Sequence, residues 1–306
     1  MGCPFLKETR TRNCHAMPAR RGIVCEATAA ATDKCLTAAH ATCPVLVDRK
    51  VSPSPTGRCP LLEETLVQYC AAAQTPKYIP FSQSQITRCG SSAYRYCEMY
   101  LSLARPSLDG PEAVPNIDGI ALPGRLFYTP NHLWLDVEED GMCHIGVDAL
   151  LASVLAQVDR VHFITVRGAC RPSAVISAHG VDWPVTFPKT VLLERPNLYL
   201  RADPGRLLRD PYRTGWLFEG WELPADNGRD AGLMRGARAA AWMRAEVQRL
   251  NERVHRLAGT RHAGVFALAG DGGSLAPGFA SALSRDEILE VLHEFFSPQR
   301  GWMQES

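Results

Sequence analysis

Cys59-Pro-Leu-Leu-Glu-Glu-Thr65, followed by Cys70, Cys89 and Cys97, is the second copy of a unit that opens the chain as Cys3-Pro-Phe-Leu-Lys-Glu-Thr9 followed by Cys14, Cys35 and Cys43. The gaps are ten, eighteen and seven residues in the later copy and ten, twenty and seven in the earlier one. The copies are offset by 56 residues at their first two cysteines and by 54 at their last two. Such regularity marks an internal repeat, and a repeat governs how the rest of a chain is divided. Four cysteines per copy at matched spacing point to a centre ligated by four thiolates.

Working outward, the 306 residues divide into four parts. Residues 1–104 form the duplicated cysteine region, with copies at 3–43 and 59–97. Residues 105–123, rich in Pro and Gly, form a linker. Short alternating strands fill 124–223, as in Leu133-Trp-Leu-Asp-Val137 and His162-Phe-Ile-Thr-Val166. A helical extension occupies 224–306. The fold class expected is α+β: a cysteine-rich metal-binding region, a central β-sandwich and C-terminal helices.

The cysteine region reads as helix-leaning in pieces, with a helical turn expected from Leu62 to Cys70 and a second helix from Ala93 to Ala104. The later copy carries aromatic side chains (Tyr69, Tyr78, Tyr94, Tyr96, Tyr100), whereas the earlier one is rich in Ala and Thr and holds the unmatched Cys25. Asp148 is a helix N-cap candidate for an interlude reaching Gln157. Met243, Val247, Leu250, Val254 and Leu257 form an amphipathic helical stripe. Ser284 and Glu287 make a capping box for a last helix.

A net charge of +1 gives no electrostatic case for nucleic acid or an anionic membrane surface. No apolar run approaches the length of a membrane span. No secretory h-region follows the first charges, and Leu6 stands where a myristoylation pattern needs Ser or Thr. The reading is a cytoplasmic protein. Nine of the eleven cysteines precede residue 98, and in a reducing compartment that density points to metal rather than to disulfides.

The expected ligands are Cys3, Cys14, Cys35, Cys43, Cys59, Cys70, Cys89 and Cys97. Zinc sites usually use close Cys pairs, because a two-residue knuckle aims both sulfurs inward. No such pair occurs here. Iron–sulfur clusters accept thiolates from separated segments, and a Pro directly after a ligating Cys, as at Cys3-Pro4, Cys43-Pro44 and Cys59-Pro60, is a feature of ferredoxin runs. The ranking is up to two iron–sulfur clusters of the 4Fe-4S kind, then zinc, then disulfides or plain thiols. His15 and His40 are read as surface residues that could substitute as ligands, and Cys143 and Cys170 as small buried hydrophobes.

Asp210-Pro-Tyr-Arg-Thr-Gly-Trp-Leu217 resembles the glycine cleavage system H protein family, whose signature there is Asp-Pro-Tyr-Gly-x-Gly-Trp-Leu. Leu126-Phe-Tyr-Thr-Pro-Asn-His-Leu-Trp134 and Asp140-Gly-Met-Cys-His-Ile-Gly-Val147 resemble two further motifs of that family, and Pro188, Asn197 and Pro204 fall in step with others, while Leu193 stands for a Val and Phe187, Val191 and Arg206 replace the family's Ser, Gly and Leu. The resemblance covers about residues 124–222 and implies a flattened β-sandwich of lipoyl-domain type. It also implies a lysine carrying lipoate eight residues before Pro188. That position is Gly180, and no lysine lies between Lys77 and Lys189. Lys189 lacks the acidic context of the family's modified residue. Lipoylation is therefore not expected, and His179-Gly180 reads as a tight turn.

Three functions remain open from the sequence. One is a redox protein with cysteine-ligated clusters in electron transfer or oxidant sensing, with the H-like domain docking a protein partner. Another is a non-catalytic binding module stapled by zinc. The third is an aminomethyl carrier, which lacks its lysine. No hydrolase or dehydrogenase signature supports a catalytic site, and Gly270-Asp-Gly-Gly273 lacks the lysine of a phosphate loop.

Overall fold

The computed structural model describes residues 2–15, 23–24, 34–75, 77–79, 88–104, 115–223, 232–258, 280 and 283–296. Cys25 and Gly270 to Gly273 lie outside them. The chain divides into two compact units, Met1–Tyr94 and Arg95–Ser306.

The first unit is built on a four-stranded sheet ordered β2-β1-β3-β4, with β1 at Leu6–Cys14, β2 at Ile23–Val24, β3 at Leu62–Cys70 and β4 at Lys77–Ile79. Single 3-10 turns at Lys34–Leu36 and Ala38–Thr42 and a short helix α1 (Pro44–Asp48) lie between β2 and β3. The helical turn expected at Leu62 is thus a strand. Leu62 and Leu66 suit either period, but Thr65, Val67 and Tyr69 are β-formers at alternate positions. The choice is made by β1, more than fifty residues away, which pairs with β3 from Leu6↔Cys70 to Cys14↔Leu62. Among the described residues of this unit, only Cys3, Thr11, His40, Leu46, Cys59 and Ala93 are buried.

The second unit begins with α2 (Glu98–Ala104) and a small hairpin of β5 (Asn116–Ile117) and β6 (Ile120–Ala121). The sandwich then follows. Strands β7 (Phe127–Tyr128), β8 (Leu133–Val137) and β9 (Met142–Val147) lead through α3 (Ala149–Leu155) into β10 (Arg160–Phe163), β11 (Gly168–Cys170), β12 (Ser173–Ala178), β13 (Val181–Thr186) and β14 (Val191–Pro196). Two single-turn helices, α4 (Tyr199–Ala202) and α5 (Arg206–Arg209), precede β15 (Phe218–Glu222). One sheet has the order β11-β14-β15-β9-β8-β7 and the other β10-β12-β13. Their inner faces share one core that includes Leu135, Ile145, Phe163, Ile176, Phe187, Leu193 and Phe218.

The C-terminal helices α6 (Gly236–Ala258) and α7 (Arg285–Phe296) join the same core. Met243, Val247, Leu250 and Val254 of the expected stripe are fully buried. The capping box also forms: Ser284 N and Oγ donate to Glu287 Oε2 at 2.7 Å, and Glu287 N returns a bond to Ser284 Oγ.

Candidate functional site: the cysteine turns and the hairpin tip

In the first unit, Cys3 and Cys59 occupy matching positions. Each is followed by Pro and starts a turn into a strand, closed by Leu6 N to Cys3 O at 3.0 Å and Leu62 N to Cys59 O at 3.1 Å. Both side chains are buried. Cys3 N donates to Cys89 O at 2.8 Å, and Cys59 N donates to Cys35 O at the same distance. Cys14 and Cys70 end their strands. Cys43 caps α1, with Pro44 at its first position. Cys97 lies in the second unit, where its carbonyl accepts from Leu101 N in α2. Among the described residues, no group of three or more His, Cys, Asp and Glu side chains is gathered closely enough to hold a metal ion.

His15 is exposed and pairs with Glu63 at 2.9 Å. His40 is not the surface residue expected. It is buried, with Nδ1 donating to Thr37 O at 2.7 Å and Nε2 accepting from Ser54 N at 3.2 Å. Both ring nitrogens are engaged, so His40 locks the 3-10 turn onto the loop before Cys59 and offers no lone pair to a metal. In the second unit, burial, followed by the charge of Glu222, pushes the Cys143 thiol up to about 12, which keeps it protonated and unreactive.

The second candidate is the turn joining β12 to β13. His179 (φ 54°) and Gly180 (φ 72°) are both left-handed, as a two-residue hairpin requires. The His179 ring nitrogen donates to Leu155 O, at the end of α3, at 2.7 Å. Arg285 Nε, from the first residue of α7, donates to His179 O at 2.6 Å. The tip is therefore held from two helices and carries no side chain at Gly180. Lys189 forms an ion pair with Glu222 on β15 at 2.5 Å.

Three buried polar groupings were not visible as motifs. His132 contacts Asp148 and faces Glu246 of α6. His144 Nε2 lies 2.8 Å from Glu219, which also accepts from Arg195, and its ring stacks on Tyr96 at 3.9 Å. Tyr96 Oη donates to Asp136 at 2.6 Å beside Arg125. Their members are far apart in the chain, so no spacing announces them. The closing signature is structural: Asp210 accepts from Thr214 N, and Tyr212 Oη donates to Ala121 O at 2.7 Å while accepting from Ala149 N.

Strand order, the shared core and this hairpin define a lipoyl-like fold. Over 132 residues the chain is 31% identical to the glycine cleavage system H protein of Marinobacter nauticus, a match spanning 41% of this chain and 97% of that protein. A crystal structure of a glycine cleavage system H protein from Mycobacterium marinum is 19% identical, with 40% of this chain and 99% of that one covered and a TM-score of 0.32. No family model matches the chain. The chain belongs to the glycine cleavage system H protein family, through a segment that makes up about two fifths of its length.

Proposed function

We propose that this chain is an H-protein homologue without a lipoyl arm, in which the sandwich docks a protein partner and the N-terminal region carries thiolate-ligated iron–sulfur centres for electron transfer or redox sensing. The observation that carries the first half is Gly180 at φ 72° on the hairpin tip, where the family's lysine is expected. A lipoyl amide needs a primary amine as its nucleophile, and glycine has none. Lys189 is held by Glu222 and sits after β13, away from that tip. An aminomethyl carrier is therefore the weakest of the three readings.

The second half rests on packing. A unit of single-turn helices and one small sheet, with so few buried apolar side chains among its described residues, gains little from the hydrophobic effect. Small folds of this kind are commonly stapled by metal, whose binding free energy becomes folding free energy. The same observation supports the second reading, structural zinc in a partner-binding module. Expression in a host able to attach lipoate tests the first half: the intact mass should equal that of the unmodified chain. An increase of one lipoyl group on Lys189 would overturn it.

A further inference from the structure

The two copies in the first unit are related by an approximate two-fold axis between β1 and β3. Arg10 faces Leu66, the equivalent residue of the other copy. His15 N to Leu61 O is mirrored by Ala71 N to Phe5 O, both 2.9 Å. Arg12↔Ile23 in β1–β2 is repeated as Gln68↔Ile79 in β3–β4. Four cysteines obey the same symmetry: Cys59 N donates to Cys35 O and Cys3 N donates to Cys89 O, each at 2.8 Å. Each bond joins the cysteine that opens one copy to the third cysteine of the other.

A backbone bond of that length, with standard N–Cα, Cα–C and C=O lengths, keeps the two Cα atoms within about 6.7 Å of each other. Disulfide-linked residues have Cα atoms about 4.4–6.8 Å apart. Both pairs therefore lie within the reach of a disulfide. A Cβ built on Gly2 would lie 3.3 Å from Cys89 O, so the backbone leading into Cys3 runs directly against the segment that holds Cys89. Thiols of a single copy are placed differently. Cys3 and Cys14 are separated by the nine residues of β1, which extend roughly 26 Å at about 3.3 Å per residue. Cys59 and Cys70 are divided by β3 in the same way.

The partners in each pair differ in access. Cys3 and Cys59 are buried, whereas Cys35 and Cys89 are half-buried on single 3-10 turns. We infer that Cys35–Cys59 and Cys3–Cys89 are two redox-active dithiol pairs, oxidised to disulfides by a small organic disulfide of the glutathione type. The more accessible cysteine, as its thiolate, attacks one sulfur of the reagent and expels the other as a thiol, leaving a mixed disulfide. The buried partner then attacks the protein sulfur of that mixed disulfide and expels the second thiol. One reagent S–S bond is broken and one Cys–Cys bond is formed, so each pair gives two electrons and two protons to the reagent. The two links join the copies at opposite ends of the β1–β3 ladder. Oxidation thereby staples a unit that has few buried apolar side chains among its described residues. The chemistry needs two thiols per site and no metal, so it stands apart from the iron–sulfur reading.

The test treats the native full chain with oxidised glutathione, alkylates the remaining thiols and maps the links by peptide mass spectrometry. Iron and zinc are measured on the same preparation beforehand. The expected products are Cys35–Cys59 and Cys3–Cys89, both reversed by dithiothreitol. Cys59→Ser should leave Cys35 as a stable mixed disulfide with one glutathione, whereas Cys35→Ser should leave Cys59 unmodified. Cys3→Ser and Cys89→Ser repeat that comparison at the other end of the ladder if the first variants fail to fold. Links that join any of these four residues to a different cysteine would overturn the inference. A metal-free chain that forms both links supports it and ends the metal reading. A metal-bearing chain that forms neither link overturns it and leaves the metal reading intact.

Discussion

His132 Nδ1 lies 2.7 Å from Asp148 Oδ2, with both side chains fully buried. The ring is packed between Trp242 of α6 and Phe296 of α7, and its Nε2 lies 3.8 Å from Glu246. Burial opposes the positive charge, but Asp148 and then Glu246 outweigh it, so the imidazole is pushed up to about 9. One histidine thus links the sheet, the α3 cap and both C-terminal helices.

A histidine raised in the folded state stabilises most below its unfolded value of about 6.5, and the contribution fades as pH rises through about 9. Thermal melts should therefore show the second unit losing stability between neutral pH and about pH 9. A flat profile over that window would contradict the charged pair.

Asp148→Asn separates charge from capping, because Asn can still accept from Leu151 N as Asp148 does at 2.9 Å. Removing one partner of a buried pair costs about 3 kcal/mol. The variant should be destabilised by about that much at pH 6.5 and should lose most of the pH dependence. Chemical denaturation at pH 6.5 and 9 measures both.

Gly215 tests the closing turn of the family signature. A Cβ built there would lie 2.8 Å from Arg206 O and from Asp210 O, both backbone atoms that cannot move aside. Gly215→Ala should cost about 2 kcal/mol or more. Gly124→Ala, with nothing within 4 Å, should stay within about 0.5 kcal/mol. Equal melting temperatures for the two variants would show that the close approach is not limiting.

Tyr96→Phe removes the donor to Asp136 while keeping the ring stacked on His144. Arg125 still pairs with Asp136 at 3.1 Å, so the carboxylate is not abandoned. The expected loss is about 1–2 kcal/mol, read by denaturant unfolding. A neutral outcome would mean that the hydroxyl is not coupled to the sheet.

What the sequence made legible was local or came in ordered motifs. The Ser284–Glu287 box, the Asp148 cap and the His179-Gly180 turn each involve neighbours a few residues apart, and each forms as read. Counting back from Pro188 was enough to find Gly180. Leu62 to Cys70 was misread because its apolar spacing suits both periods, and the deciding partner, β1, is distant in sequence. His40 was misread because burial of a lone histidine depends on the Thr37 carbonyl and the Ser54 amide, which no pattern displays. Spacing likewise identified eight equivalent cysteines but was silent on which of them share an end of the sheet.

The most direct test of the functional account is the iron, zinc and acid-labile sulfide content of the anaerobically purified full chain, taken with its visible absorption. Thiolate-bound clusters predict iron with matching sulfide and a broad visible band that is lost on oxidation. Colourless protein without iron or sulfide would contradict electron transfer by this chain.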